Sequence, residues 1–228
     1  ADGAGARMLE DIRAGGVDAE HVTPDEGAAT GTAYITVTPD GENTIVLDPG
    51  ANHRLAPADV DRATPVIEQA RVLLSQLEVP IDTVARALAV ATGAGVRPVL
   101  TLSPAQPVPD DLLAGLDPLL VNQQEAGSLL GRSRVRVREA EEAARSLIKL
   151  GPRSVVITLG SDGAILATAS GESRLAVEGE AQVVDTTGAG DALAGAMAAA
   201  LARGLPLAEA VKAGMRVAAL AVGRRGAR

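Results

Sequence analysis

VVDTTGAGDALAG, residues 183–195, is the stretch on which the reading of this chain turns. An apolar run ends at Asp185, a Thr-Thr-Gly-Ala-Gly turn follows, and Asp191 leads into an alanine-rich segment of helical composition. In an open α/β sheet, ligands collect beyond the carboxyl ends of the strands, where helix N-termini direct N–H groups outward. Gly188 and Gly190 let the backbone turn tightly and bring several N–H groups toward one point, an anion hole suited to the charge of a phosphoryl group. Asp191, in the first helical turn beside that hole, stands where a carboxylate accepts a hydroxyl proton as the oxygen attacks phosphorus. The same residues also fit a plainer role, with Asp191 as an N-terminal helix acid, Asp185 as a strand end and the glycines as turn formers.

Upstream of this stretch the texture alternates. PADVDRATPVIEQA (57–70) predicts a helix despite Pro65, RVLLSQLE (71–78) a buried strand, IDTVARALAVATGAG (81–95) a helix and PVLTL (98–102) a strand. LLVN with QEAGSLL, then REAEEAARSLIKLG with SVVITLG, repeat the pattern. Strands separated by helices of this length imply a mostly parallel sheet with right-handed crossovers. Two hairpins interrupt it: TGTAYITVTPDGENTIVL (30–47), turning at Pro39-Asp40-Gly41-Glu42, and GAILATASGESRLAV (163–177). AQVVD (181–185) reads as a final strand, and closing helices follow Gly188 and Pro206. ARMLEDIRAGG (6–16) predicts a helix stopped by Gly15 and Gly16, and it looks like a helix inside a domain. No long linker divides the chain, so residues 1–228 are expected to form a single α/β domain.

Composition narrows the function classes. A net charge of -8 argues against general affinity for nucleic acid or anionic membrane, because both attract a basic field. One tyrosine, Tyr34, and no phenylalanine or tryptophan leave no stacking platform for single-stranded bases. Without cysteine there is no disulfide framework or thiolate metal site, and no apolar run reaches the ~20 residues of a membrane span. The first residues lack the basic-then-apolar order of a secretory signal, so a soluble, cytoplasmic protein acting on a small molecule is expected. Arg132, Arg134, Arg136 and Arg138 read as a solvated edge, and His21 and His53 as surface residues. Neither the Gly-x4-Gly-Lys-Ser/Thr loop nor the Gly-x-Gly-x-x-Gly fingerprint is present.

The run DTTGAGD (185–191) resembles, without a substitution, the C-terminal signature of the ribokinase-like (PfkB) carbohydrate kinases. TGTAYITVTPDGENTIVLDPGAN, LLSQLEVP, LTLSPAQPVPDDLL, LLVNQQEAG, VVITLGSDGA and VGRRGA extend the resemblance in the same order along nearly the whole chain. It implies a three-layer α/β/α fold and ATP-dependent phosphoryl transfer to a sugar, with the 5-hydroxyl of ribose as the leading acceptor. Fructose, 2-keto-3-deoxygluconate or a nucleoside are alternative acceptors, and a non-catalytic nucleotide-binding remnant is the alternative outside the enzyme class.

By resemblance, Asp191 is the base, the backbone of Gly188, Ala189 and Gly190 the anion hole, and Glu78 a ribose contact that would discriminate strongly if buried. Asn122 and Glu125 match the family's Asn-x-x-Glu motif, which organises magnesium and phosphate, often through water. Without the family they read as a helix cap and its first-turn acid. Thr158, Gly160, Ser161 and Gly163 of TLGSDG fall on the nucleotide loop, although a turn between strands explains the glycines as well. Asp185 and Thr187 fall where the family holds an activating monovalent cation, potassium, completed by carbonyls of the loop carrying Arg224 and Gly226. Met215 lies where relatives often carry a polar residue near adenine. The chain begins at a helix that follows the family's first strands and stops short of its last helix, so the first quarter of the family domain is expected to be missing. The hairpin is the region through which family members often form homodimers.

Overall fold

In the computed structural model, which describes residues 2–37, 43–177, 182–224 and 226, the chain opens with helix α1 (Gly3–Ala14). The Asp2 carboxylate caps it, accepting from the Gly5 N–H at 2.8 Å and from the Thr30 N–H at 2.7 Å. The helix buries none of its residues, so it lies on the surface rather than inside a core. β1 (Thr32–Val37) and β2 (Asn43–Asp48) then pair antiparallel, Thr32 opposite Asp48, as a separate two-stranded sheet. The proposed turn at 39–42 lies outside the described residues, while Tyr34, Val46 and Leu47 of the strands are exposed.

The large sheet has six strands in sequence order: β3 (Val72–Ser75), β4 (Arg97–Thr101), β5 (Leu119–Asn122), β6 (Ser154–Thr158), β7 (Ala164–Thr168) and β8 (Gly171–Leu175). The first four run parallel, and β7 and β8 join antiparallel as the second hairpin. β4, β5 and β6 are covered on both faces, so their residues alternate between two cores rather than between core and solvent, whereas β3, expected as a buried strand over 71–78, is an edge strand of Val72–Ser75 with Leu74 exposed. Leu119, Val121, Val155 and Ile157 point to one core, shared with α3 (Ile81–Gly93), α4 (Gln123–Leu129) and α5 (Ala140–Ile148). Leu120 and Val156, the residues between them, point to the other core, built with α6 (Ala189–Ala202) and α7 (Leu207–Ala221). The result is three layers, α/β/α, with a mixed sheet. α2 (Pro57–Gln69) packs outside α3, joined by the Arg86–Asp61 ion pair and by the Thr83 hydroxyl donating to the Leu55 carbonyl. Pro65 sits inside α2, as expected.

Both cores are aliphatic, and each fully buried leucine or isoleucine contributes roughly 1.5–3 kcal/mol. Without large rings to fill space, backbones come close instead. A Cβ on Gly214 of α7 would stand 2.7 Å from the Leu193 carbonyl oxygen of α6. The expected edge of arginines is as read: Arg132, Arg134, Arg136 and Arg138 are exposed, with Val135 fully buried among them. His21 and His53 are exposed as well.

One expected element is corrected. Residues 182–185 of AQVVD form no strand, and residue 181 lies outside the described residues. The N–H groups of Val184 and Asp185 both donate to one carbonyl, that of Val222, at 2.8 and 3.1 Å. Val183 and Val184 are exposed. A single acceptor at the end of α7 therefore takes the bonds that a neighbouring strand would have supplied.

Candidate active site

The carboxyl ends of β3 to β6 and the N-terminus of α6 meet on one side of the sheet. Gly188 precedes α6 in the left-handed conformation, φ 75°, and no side chain caps the helix. The Ala189 N–H donates back to the Thr186 carbonyl at 3.2 Å, so it is turned inward. Those of Gly190 and Asp191 have no acceptor among the described residues, and they stand at the positive end of the helix dipole. Of the three backbone groups the sequence assigned to the anion hole, only that of Ala189 is thus spent within the turn; those of Gly188 and Gly190 have no acceptor among the described residues and are joined by that of Asp191 itself. A Cβ on Gly190 would meet no atom within 4 Å, so packing does not require a glycine there. The Asp191 side chain is exposed in the first turn of the helix.

A cavity of about 610 Å³ lies against this N-terminus. Thr158, Gly160, Ser161 and Gly163, all four singled out in the sequence, line it together with Thr186, Ala189 and Gly190. The rest of the lining is aliphatic and includes Val177, Val183, Leu193, Met215, Ala218 and Val222. Apart from Met215, these were not readable as site residues, because Met215, Ala218 and Val222 recur at the same 3–4-residue spacing as any core-facing helix stripe. A hydrophobic slot with a polar, N–H-rich end suits a ligand with a flat apolar body and an anionic tail.

Asn122 is the register partner of Thr158 across β5 and β6, which puts it beside the cavity wall rather than in it. Its side-chain oxygen accepts from the Gln124 and Glu125 N–H groups at 2.8 and 2.9 Å, while Glu125 accepts from the Asn122 N–H and side-chain amide at 2.7 and 2.8 Å. This capping box fastens α4 to the end of β5. Glu125 is buried, and that burial pushes its carboxyl pKa up, with the Asn122 N–H pulling the other way. A raised folded-state pKa means that the folded chain holds the proton more tightly than the unfolded one. The charged form therefore costs stability above the folded pKa, and that cost fades as the pH falls through it toward the unfolded value. Glu125→Gln, which keeps an acceptor for Asn122, is expected to raise Tm at pH 7.5 by about 2–4 °C, equivalent to about 1 kcal/mol. The gain should vanish near pH 4.5 in thermal unfolding curves. A lower Tm at neutral pH would show that the lost charged hydrogen bonds outweigh the relieved burial.

Asp185, Thr187 and Gly226 come together. One Asp185 oxygen accepts from the Thr187 N–H and hydroxyl at 2.9 and 2.7 Å, and the other accepts from the Gly226 N–H at 2.9 Å. Arg224 lies in the same closing turn, its N–H donating to the Ala221 carbonyl. The loop before α6 and the loop after α7 are thus tied at a cluster rich in oxygen atoms, the donor chemistry that alkali cations take. Among the described residues, no group of three or more histidine, aspartate or glutamate side chains could hold a metal by itself. Glu78 is separate from these groups: it follows β3 at the same end of the sheet and is exposed rather than buried, its N–H donating to the Gln76 side chain.

An α/β/α fold with an uncapped helix N-terminus beside an apolar slot is the architecture of a phosphotransferase of the α/β kinase type, the class to which its relatives belong. The family model described as pfkB family carbohydrate kinase matches residues 1–228, and the chain belongs to that family, with the ATP-dependent sugar-kinase activity of the ribokinase type. It is 35% identical to the ribokinase of Schizosaccharomyces pombe over 99% of this chain and 72% of that protein. The crystal structure of ribokinase from Thermotoga maritima superposes with a TM-score of 0.86 at 30% identity, covering 99% of this chain and 73% of that one. That of Arabidopsis thaliana ribokinase complexed with ribose and ATP gives 0.81 at 30% identity, covering 88% and 65%. Among the described residues, no helix is long and apolar enough to cross a membrane.

Proposed function

We propose that this chain phosphorylates the 5-hydroxyl of D-ribose with the γ-phosphoryl group of ATP, residues 1–228 acting as one kinase domain. The observation that carries the reading is the open N-terminus of α6, where Gly190 lines the 610 Å³ cavity with an outward N–H group and the exposed Asp191 follows it in the first helical turn. The adenine ring lies in the aliphatic slot, and the phosphates run past Thr158, Gly160 and Ser161 toward Gly190. Asp191 takes the hydroxyl proton as the sugar oxygen bonds to the γ-phosphorus and the bond to the β,γ-bridging oxygen breaks. The N–H groups of Gly190 and Asp191 stabilise charge on the phosphoryl oxygens in transit. Magnesium bound with ATP would supply neutralisation of the phosphate charge, and Glu125, whose two oxygens accept from Asn122 in this structure, would be the carboxylate that helps to hold it. Ribose as acceptor is supported by the ribokinases among the relatives and by Glu78, open to substrate at the end of β3.

The test is ADP release by the purified chain with Mg-ATP and potassium, with and without ribose. Ribose-dependent release is the expected result, and its absence from a chain shown to be folded by circular dichroism would overturn the reading.

The cluster of Asp185, Thr187, Arg224 and Gly226 is the proposed seat of a potassium ion, held by carboxylate, hydroxyl and carbonyl oxygens. The ion would tighten the loop from which the anion hole starts. Potassium is therefore expected to raise kcat several-fold over sodium or Tris at equal ionic strength, and Asp185→Ala to remove most of that difference. Equal rates in the three salts would remove the cation from this site.

A further inference from the structure

A second cleft, of about 240 Å³, opens at the opposite end of the sheet, where β4, β5 and β6 begin. Arg97 starts β4, Asp117 lies two residues before β5 and Arg153 one residue before β6, while Thr92 borders the cleft from the last turn of α3 and Gly95 from the loop after it. The strands are about 15 Å long at 3.3 Å per residue, so this cleft is separated from the nucleotide cavity by the length of the strands.

Its charges are unequally engaged. Both oxygens of Asp117 are taken, one by the Ser154 hydroxyl at 2.5 Å and one by Arg97 Nε at 3.0 Å. Asp117 therefore anchors Arg97 through its Nε rather than offering a free acceptor, and the terminal nitrogens of Arg97 donate no hydrogen bond among the described residues. The Arg153 guanidinium makes none at all. The Arg153 N–H is spent on the Leu116 carbonyl, the Asp117 N–H on that of Pro98 and the Gly115 N–H on that of Gly151. Two guanidiniums against one neutralised carboxylate leave a net positive concavity on a chain whose overall charge is -8. A surface cation that only confers solubility needs no concavity, and a second arginine is not usually held beside it by a buried hydroxyl–carboxylate pair.

We propose that this cleft binds a small phosphate-bearing anion, with Arg97 and Arg153 donating to its oxygens from two sides. Guanidinium forks match tetrahedral oxyanions, and such charge-assisted bonds are the strong ones. With about 30 Å³ for a water-sized group, the volume admits a phosphate and a short tail but not a second nucleotide.

The experiment is calorimetric titration of the full chain with inorganic phosphate and, in a parallel arm, glycerol 3-phosphate, at constant ionic strength and with a non-hydrolysable ATP analogue in excess. Wild type is expected to bind one phosphate group per chain, and Arg153→Gln to weaken it at least tenfold, with Arg153→Lys between them. Tighter binding of glycerol 3-phosphate would assign the cleft to phosphate esters, and equal binding to free phosphate. Arg153 is exposed and carries no packing, so Arg153→Gln should fold as wild type, which its Tm checks. Absence of binding in wild type would overturn the proposal, as would binding that Arg153→Gln leaves unchanged or that chloride abolishes at matched ionic strength.

Discussion

Asp191→Asn is expected to lower kcat by about 10²–10⁴-fold, the contribution of a positioned general base, while nucleotide affinity changes little. The side chain is exposed in the first turn of α6 and forms no part of either core, so its replacement removes a proton acceptor without a packing penalty. The cavity proposed for the nucleotide is lined by other residues. A fall in kcat at constant nucleotide Kd is the signature of an interaction made in the transition state only. Steady-state ADP release beside equilibrium nucleotide titration reads both quantities, and wild-type turnover in the variant would remove Asp191 from the role.

Gly163→Ala should have the largest effect on stability. Gly163 sits at φ 88°, ψ -134°, where a side chain is strained, and its Cβ would stand 2.0 Å from the Leu175 carbonyl oxygen. Strain of this kind costs about 1–3 kcal/mol, and relief of the clash requires the end of β8 to move off β7. A total loss of about 3–5 kcal/mol is expected, a drop in Tm on the order of 10 °C. Gly190→Ala is the internal contrast, since its Cβ enters open space and Tm should hold. Differential scanning calorimetry of the two variants decides the matter, and equal Tm values would show that the β7–β8 connection yields more easily than its geometry implies. In TLGSDG, then, Gly163 answers to the fold, whereas Gly190 at the helix N-terminus is left free for a ligand.

That distinction was beyond the sequence, where both glycines looked like turn formers. The alternation of helix and strand was legible from residue 57 onward, because strands buried on both faces are short apolar runs and the helices between them carry a one-sided stripe. AQVVD failed for the same reason that the others succeeded: its composition is that of a strand, but only the position of Val222 determines where its N–H groups go. The polar half of the candidate site was visible because glycines, Asn122 and Asp191 are chemically marked. The aliphatic half was not, since Ala218 and Val222 differ from core residues only in facing a cavity. The cleft of Arg97 and Arg153 was also hidden, its members 56 positions apart and joined only by the register of β4, β5 and β6.

The exposed Tyr34 on β1 has an optical consequence. With no tryptophan or phenylalanine, the chain carries a single fluorophore, and it stands on the small sheet, away from both aliphatic cores. Emission from the unlabelled protein is therefore a one-point readout of β1 and β2: it responds to whatever covers or exposes that face, while the rest of the molecule stays dark. The same property makes ultraviolet absorbance a poor measure of protein concentration. A tryptophan introduced beside the nucleotide slot would be seen against almost no background.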